Sequence, residues 1–479
     1  MQKLNDIRAI HKEILKKITP TPLDRAKIKA LAETLQRKVE VACRENGITA
    51  EVRIEGSVAK DTWLREEPEI DVFMRLSPTI PRRSFGEISL KIARKATENA
   101  SKQVERFAEH PYLEAFIDDV RLNIVPCYDV KPGEWLSATD RTPFHTDYVK
   151  KRLDERLRGE VRVLKKFLKG VGVYGAEIKT GGFSGYLCEL LLVHYKSFTA
   201  TLQAFAGYTQ RIAIDIECFY GGRERELNRL FPEPLVTVDP VDKTRNVASA
   251  VQPQKLYTLV AAARAFLKTP DKKFFYPPKI TALTPKALGR ELKNRGEALV
   301  FLPLENVETI PDVLWGQLYK TKRALRKLAM LNDFKVLRDA VWSDEKTFSV
   351  FTLELEQRVL PSIKKHFGPP LKHEKECEKF LSKYTSNGGA VSGPLIEDGR
   401  WVVELRRRFT DVAELLKENL GGGGRNIGVA EVMSQAFKEK LEVLVDNDVL
   451  ELYRINSGFA EFLTSFLSGK PFWLEIAEG

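Results

Sequence analysis

GSVAKDTWLREEPEIDVF, residues 56–73, carries the chemistry from which the rest of the chain can be read. Glu69 and Asp71 stand at i and i+2 in the apolar run EIDVFMRL, which reads as a strand, so both carboxylates leave the same sheet face. Two like charges that close repel unless a cation lies between them, and a hard divalent ion is the economical explanation. Upstream, Gly56-Ser57 closes another strand and leads toward a helix start. Such a turn presents backbone N–H groups and a hydroxyl to phosphate oxygens, and Lys60 adds a point charge. Glu-x-Asp alone is a weak signal whose plain alternative is two solvated carboxylates on an edge strand. Together with the Gly-Ser element it points to metal-assisted phosphoryl transfer.

Working outward, Lys3–Lys17 and Leu23–Asn46 have apolar residues near helical spacing, with Pro20 and Pro22 between them. AEVRIEGS, EIDVFMRL and EAFIDDVRLNIVPCYDV read as three strands, and the amphipathic stretch Phe85–Glu109 as one helix. This order predicts a small α/β or α+β domain up to about residue 150. Beyond it, VKKRLDERLRGEVRVLKKFLKG and SGYLCELLLVHYKSFTATLQAF read as helices around a Gly-rich connector, with Ser184 as a start signal. VTVDPVDKTRNVASAV reads as a strand and turn before a helix over Gln254–Leu267. After Pro277-Pro278, EALVFLPLE, a helix over Asp312–Leu331, DFKVLRDAVW and TFSVFTLELE predict a split βαβ unit. The last hundred residues mix both element types, so the expected fold class is α+β and multidomain.

The 479 residues predict three or four packed units at roughly 100–200 residues per domain. A 43% hydrophobic and 30% charged composition excludes disordered, collagen-like and disulfide-framework chains. The five cysteines are dispersed, without a CxxC pair, which argues against structural zinc and for a reducing compartment. The charged N-terminus lacks a signal-peptide core, and no apolar run nears the ~18 residues that span a bilayer. A cytoplasmic protein without membrane contact is expected. The net charge of +11 hints at a polyanionic partner, with basic residues beside aromatics in Lys320–Lys327 and Trp401–Phe409. Solvated faces with Arg stems over apolar neighbours are the alternative.

GSVAKDTWL, EIDVF, EHPY (Glu109–Tyr112), IVPCY (Ile124–Tyr128), DRTPFH (Asp140–His145), VRVLKKFLK, VYGAEIKTGGFSGYLCELL (Val173–Leu191) and VDPVDKTRNVA (Val238–Ala248) follow one another in order. In these the chain resembles the archaeal-type (class I) CCA-adding enzymes, tRNA nucleotidyltransferases of the polymerase-beta-like superfamily. Fainter echoes, GRWVVELRRRF and GRNIG, extend the resemblance to about residue 430. It implies a nucleotidyltransferase head over residues 1–150, a helical neck over 151–260, an α+β body over 261–372 and a tail over 373–479. It implies template-independent addition of C, C and A to tRNA 3′ ends from CTP and ATP, with the acceptor arm and TΨC region gripped by body and tail. A homodimer is left open. By position, Glu69 and Asp71 would be Mg²⁺ ligands, Ser57, Lys60, Lys165 and Tyr174 would meet the triphosphate, His145 would lie near the nucleotide, and Arg245 would face the base. Without the resemblance, Tyr174 reads as a core aromatic and Lys165 as one of several lysines on a helix.

One position departs from the pattern. The family carries a third catalytic carboxylate two residues before the first Val of the VPCY-type motif, where this chain has Asn123 (RLNIVPCY). An amide is a weaker ligand for Mg²⁺ and no base. Asp119 shares the strand parity of Asn123 but lies four residues away, about 13 Å if extended. A variant disabled to trap a complex and a diverged homologue both fit. Other superfamily enzymes (poly(A)-polymerase-like, oligoadenylate-synthase-like or cyclic-dinucleotide-forming) are alternatives, as is a non-catalytic tRNA-binding protein with a relict site.

Overall fold

A computed structural model describes residues 2–107, 110–296, 298–305, 309–386 and 389–474. Glu109 of the EHPY motif and Glu297 at the start of EALVFLPLE lie outside the described residues. The chain divides into two compact units, the first spanning residues 1–279 with 310–312 and 470–479, the second 280–309 with 313–469.

The first unit opens with helices α1 (Gln2–Ile18) and α2 (Pro22–Glu45), the latter begun by a Thr21–Asp24 capping box. Then follow β1 (Ala50–Glu55), the single turn α3 (Gly56–Ala59), β2 (Glu69–Leu76), α4 (Arg82–Ala96), β3 (Lys102–Phe107), β4 (Pro111–Ile117) and β5 (Val120–Tyr128). The strands form one sheet in the order β1-β2-β5-β4-β3, with β2 and β5 parallel and the other pairs antiparallel. Period-2 alternation decides what faces where. Ile70, Val72 and Met74 of β2 pack with Leu35 and Val39 of α2 and Phe85 and Ile92 of α4 in one apolar core. Glu69 and Asp71 therefore emerge on the other face.

Two expectations about this sheet are corrected. Residues 114–130 are not one strand: Asp118 and Asp119 take φ of 49° and 61°, and make a two-residue hairpin turn between β4 and β5. The helix expected over 85–109 ends at Ala96, and KQVERF forms the edge strand β3. Nor do Asp118 and Asp119, held in that turn, stand in for the carboxylate absent at residue 123.

The unit continues with α5 (Thr142–Arg152), α6 (Glu155–Gly170), α7 (Gly185–Tyr195), α8 (Phe198–Ala206), β6 (Ile212–Ile214), α9 (Glu224–Leu230), β7 (Leu235–Asp239), β8 (Asp242–Asn246) and α10 (Pro253–Lys268). The two long helices expected here are each broken. Asp154 caps α6 by accepting from Leu157 N at 2.7 Å, and a left-handed Lys196 followed by the Ser197 cap separates α7 from α8. Ser184 caps α7, as its position predicts. Phe167, Phe198, Phe266, Phe274 and Phe275 form a fully buried aromatic cluster that joins α6, α8 and α10.

The second unit holds α11 (Pro285–Arg295), β9 (Ala298–Glu305), α12 (Pro311–Leu331), β10 (Val336–Ser343) and β11 (Phe348–Leu355). β11 lies between β9 and β10 and is antiparallel to both, which is the predicted split βαβ arrangement. After these come β12 (Ile363–Pro370), α13 (Glu374–Ser386), β13 (Ala390–Glu397), β14 (Arg400–Arg406), α14 (Val412–Leu420), α15 (Glu431–Glu439), β15 (Leu444–Val445), α16 (Leu450–Ile455) and α17 (Ser457–Ser468). β12-β14-β13 make a separate sheet. Among the described residues no helix is long and apolar enough to cross a membrane.

Candidate active site

Register across the first sheet places Asp71 of β2 beside Asn123 of β5, and Glu69 beside Arg121. Asn123, 8% exposed, donates from Nδ2 to Glu69 Oε1 at 2.6 Å and to Asp71 Oδ1 at 2.9 Å. With two carboxylate acceptors at that corner, the amide must turn its N–H₂ inward. Asn123 thus occupies, as a neutral donor, the place between the acids that the sequence assigns to a cation. Burial, then the charge of Glu69, pushes the Asp71 carboxyl up to about 7. This is an acid pair that a divalent cation would stabilise. Among the described residues no group of three or more His, Cys, Asp or Glu side chains could hold a metal ion. Glu69 and Asp71 are the two carboxylates that meet here, and Asn123 Oδ1 would join them as an acceptor if the amide turned over.

The turn at Gly56 closes one side of this corner. Gly56 has φ +67°, and a Cβ there would lie 1.8 Å from Asp71 Oδ2. Only glycine permits both the backbone conformation and the close approach of the carboxylate. Ser57 follows in the same turn, partly exposed. Just before it, Glu55 pairs with Asp71 across β1 and β2 and is fully buried, with its carboxyl raised to about 7 by burial.

Lys60 and Lys165 meet at a residue that sequence reading did not single out. Glu189, on α7 and fully buried, accepts from Lys60 Nζ at 2.6 Å through Oε2 and from Thr62 Oγ1 at 2.6 Å through Oε1. Lys165 Nζ donates to Thr62 O and Oγ1, both at 3.1 Å, and lies 3.6 Å from Glu189 Oε1. Lys165 thus makes two hydrogen bonds to Thr62 and pairs with Glu189 by charge. Burial opposes the charge on Glu189, yet Lys60 and Lys165 hold its carboxyl below the ordinary range, while burial lowers Lys165. An added Cβ on Gly185 would be 3.1 Å from Tyr174 Oη and 3.5 Å from Lys165 Nζ, so phenol, ammonium and the first turn of α7 converge. Burial raises the Tyr174 phenol far above its usual value, leaving it a neutral hydrogen-bonding group. Replacing Glu189 by Gln should cost about 3–5 kcal/mol, because two buried ammonium groups lose their counter-charge. Lys165→Met in that background should return much of the loss, a coupling that thermal unfolding of the four proteins measures.

The lysine-rich face of α6 also has a specific use. Arg162, Lys165, Lys166 and Lys169 sit at i, i+3, i+4 and i+7 and grip the loop from Asp61 to Glu67 in turn. Arg162 donates to Trp63 O at 3.0 Å and to Asp61 Oδ1 at 2.6 Å, Lys166 to Glu66 at 2.5 Å, and Lys169 to Glu67. The segment that connects Lys60 to Glu69 is thereby fixed against α6.

A second buried acid, Asp239 at the end of β7, gathers His145 and Arg245. His145 Nε2 bonds Asp239 Oδ2 at 2.9 Å, Arg245 Nη1 donates to the same oxygen at 2.7 Å, and Tyr186 Oη donates to Oδ1 at 3.1 Å. The His145 and Tyr186 rings stack with centroids 4.0 Å apart, and Lys60 Nζ lies 5.8 Å from the Tyr186 ring centroid. Burial pushes His145 down, against the raising effect of its bond to Asp239. Against the pull of burial, these partners bring the Asp239 carboxyl down to about 2. The Arg245 side chain keeps 39% exposure, so Asp239 holds one end of a guanidinium whose other end reaches solvent.

All nine sequence-predicted residues thus lie in the first unit, in three adjoining groups: Glu69, Asp71 and Asn123 beside the Ser57 turn, Lys60, Lys165 and Tyr174 around Glu189, and His145 and Arg245 on Asp239. Glu189, Asp239 and Tyr186 lie outside the residues the sequence predicts for the site. Glu189 could have been found as the one acid in the otherwise apolar helix GYLCELLLVHY, and Asp239 as the acid closing the apolar strand LVTVD.

Residues 35–152 match the nucleotidyltransferase domain, residues 159–276 the second domain of tRNA nucleotidyltransferase, and residues 295–446 the C-terminal domain of CCA-adding enzyme. The CCA-adding enzyme of Methanosarcina barkeri is 36% identical over 441 residues, covering 92% of this chain and 94% of that protein. Those of Pyrobaculum neutrophilum and Halobacterium salinarum are 36% and 34% identical, over 88% and 94% of this chain and 95% and 96% of theirs.

Proposed function

The chain belongs to the CCA-adding enzymes, nucleotidyltransferases that add CCA to tRNA and depend on a divalent metal, and on that premise we propose how its residues do so. The observation that carries the assignment is the register that sets Asp71 beside Asn123, with Glu69 on the same amide and the Gly56 turn against Asp71. Mg²⁺ is the proposed ion, with Glu69 and Asp71 as its ligands. When bound, it would neutralise triphosphate oxygens and polarise the attacking 3′-hydroxyl. The Gly56–Ala59 turn and Ser57 bind the terminal phosphates through N–H and O–H groups. Lys60 adds charge there, held at one N–H by Glu189, and Lys165 and Tyr174 position this group from α6 and the connector. The tRNA 3′ hydroxyl gives up its proton to solvent and its oxygen bonds the α-phosphorus as the bond to the β-phosphate breaks, releasing pyrophosphate.

Base choice is assigned to Arg245, set by Asp239 beside the stacked His145 and Tyr186. A guanidinium donates and never accepts, so it suits the acceptor ring nitrogens on the Watson–Crick edges of cytosine and adenine. Uracil and guanine carry N–H donors there, and an unpaired buried donor costs about 1–3 kcal/mol. In a background reactivated by Asn123→Asp, Arg245→Ala should therefore lose roughly tenfold to a hundredfold of the CTP-over-UTP preference while triphosphate affinity changes less. Competition between labelled CTP and UTP on one tRNA reads this directly, and an unchanged ratio would remove Arg245 from the role.

The head, neck, body and tail divisions at 150, 260 and 372 are proposed on the same footing, with the acceptor arm and TΨC region as the part of tRNA bound, a cytoplasmic setting and a homodimer as the assembly to be tested. Such an RNA helix is recognised through phosphates and 2′-hydroxyls. An anticodon-less minihelix should then bind within a few-fold of full tRNA, with affinity falling steeply in salt, as filter binding at several ionic strengths would show.

A further inference from the structure

Both oxygens of Glu69 are filled. Oε1 accepts from Asn123 Nδ2 at 2.6 Å, and Oε2 accepts from Arg121 Nη2 at 2.8 Å. A cation arriving at Glu69 competes with both partners for the lone pairs they hold. Asn123 can give way by turning its amide, because the same side chain offers an acceptor oxygen. Arg121 cannot: a guanidinium has donors alone, and its positive charge opposes the incoming ion. Its departure relieves that opposition, and the sheet supplies a place for it. Glu114 of β4 pairs with Asn123 of β5, two residues along the strand from Arg121 and on the same face. Glu114 is 6% exposed. Arg106 holds its Oε1 from Nε at 3.2 Å and Nη2 at 2.8 Å. Its Oε2 lies 3.9 Å from Arg121 Nη1, one small shift short of a hydrogen bond. The Arg121 side chain is 46% exposed and so has room to move.

We infer that Arg121 is a positioning residue that exchanges Glu69 for Glu114 when a divalent cation binds at Glu69 and Asp71. Charges alternate along the row from Arg106 through Glu114 and Arg121 to Glu69, so one step of Arg121 trades one ion pair for another without leaving a buried charge unpaired. Glu114 is the second seat, and Arg106 fixes it. In the cation-free protein Arg121 and Asn123 together keep two adjacent carboxylates in place, and they lower the affinity for a cation that arrives without a triphosphate. This inference rests on the cation-site reading above.

Mn²⁺ binding to the full chain without nucleotide, followed by electron paramagnetic resonance, tests it apart from activity. Asp71→Asn should abolish site binding; if it leaves Mn²⁺ binding intact, the cation lies elsewhere, and both the site reading and this inference fall. Arg121→Gln should tighten binding by roughly two- to fivefold, the size expected for one half-exposed ion pair removed from a ligand. Glu114→Gln should weaken it by a similar factor, and that effect should vanish in the Arg121→Gln background. With Asp71 shown to be a ligand, unchanged or weaker binding in Arg121→Gln overturns the exchange alone. So does a Glu114→Gln effect that persists without Arg121, which would make Glu114 act on the cation directly. Arg121 is partly exposed and its change should not impair folding, so that arm stands even if Glu114→Gln unfolds.

Discussion

Replacing Asn123 by Asp should raise the rate of CMP and AMP incorporation in Mg²⁺ by about two orders of magnitude or more, with nucleotide and tRNA affinity nearly unchanged. The amide stands where the family's third carboxylate would help hold the ion that activates the 3′-hydroxyl, and a neutral oxygen is a poor substitute for that charge. An interaction made only in the transition state changes turnover and spares binding. The structure adds an opposite effect on stability. Asn123 Nδ2 now bonds Glu69 and Asp71, and a carboxylate in its place would lose both bonds and set a third like charge beside an Asp71 already raised to about 7. Cation-free Asn123→Asp protein should therefore be less stable by about 3 kcal/mol, with Mg²⁺ restoring most of the loss. Single-turnover incorporation and thermal unfolding with and without Mg²⁺ measure the two effects. Full Mg²⁺-dependent turnover in the sequence as it stands, with no gain from Asp, would show that Asn123 is no handicap.

In the Asn123→Asp background, Gly56→Ala should reduce incorporation by at least about a hundredfold while costing only about 1–2 kcal/mol of stability. A Cβ 1.8 Å from Asp71 Oδ2 cannot be accommodated unless that carboxylate or the Gly56–Ala59 turn moves, and φ +67° adds strain for any L side chain. Displacing a reacting group by about 1 Å is enough to cost two orders of magnitude. Both the cation ligand and the phosphate-binding turn shift together, so KM for the nucleotide should rise as kcat falls. Steady-state kinetics of the variant beside its melting curve checks this, and near-normal kinetics would mean that Asp71 and the turn do not act together.

What was legible in the sequence was local. Alternation in EIDVFMRL put Glu69 and Asp71 on one face, and the apolar and helical runs placed the split βαβ unit. Local patterns failed where a short polar break carried the information. Asp118-Asp119 can take positive φ and so fold one apparent strand into a hairpin, and the break near Asn99 releases KQVERF into β3. The two buried acids were illegible for a different reason. Glu189 meets Lys60 across 129 residues and Asp239 meets His145 across 94, and no periodicity reports such a pairing. The lysines of α6 read only as several lysines on one helix because their partners, the Asp61–Glu67 loop, are supplied by the fold. Arg121 and Glu114 likewise acquire meaning only from the register of β2, β5 and β4.

The most direct test is stepwise incorporation from labelled CTP and ATP onto tRNA ending at the discriminator base, in C, or in CC, comparing Asn123→Asp protein with and without Asp71→Asn. The account predicts two C additions, then one A, then arrest in the Asn123→Asp protein, and no addition once Asp71 is also changed although tRNA still binds. Undiminished incorporation after Asp71→Asn would contradict the site assigned here. An Asn123→Asp protein that binds tRNA and nucleotides yet adds nothing would instead mark a relict tRNA-binding protein.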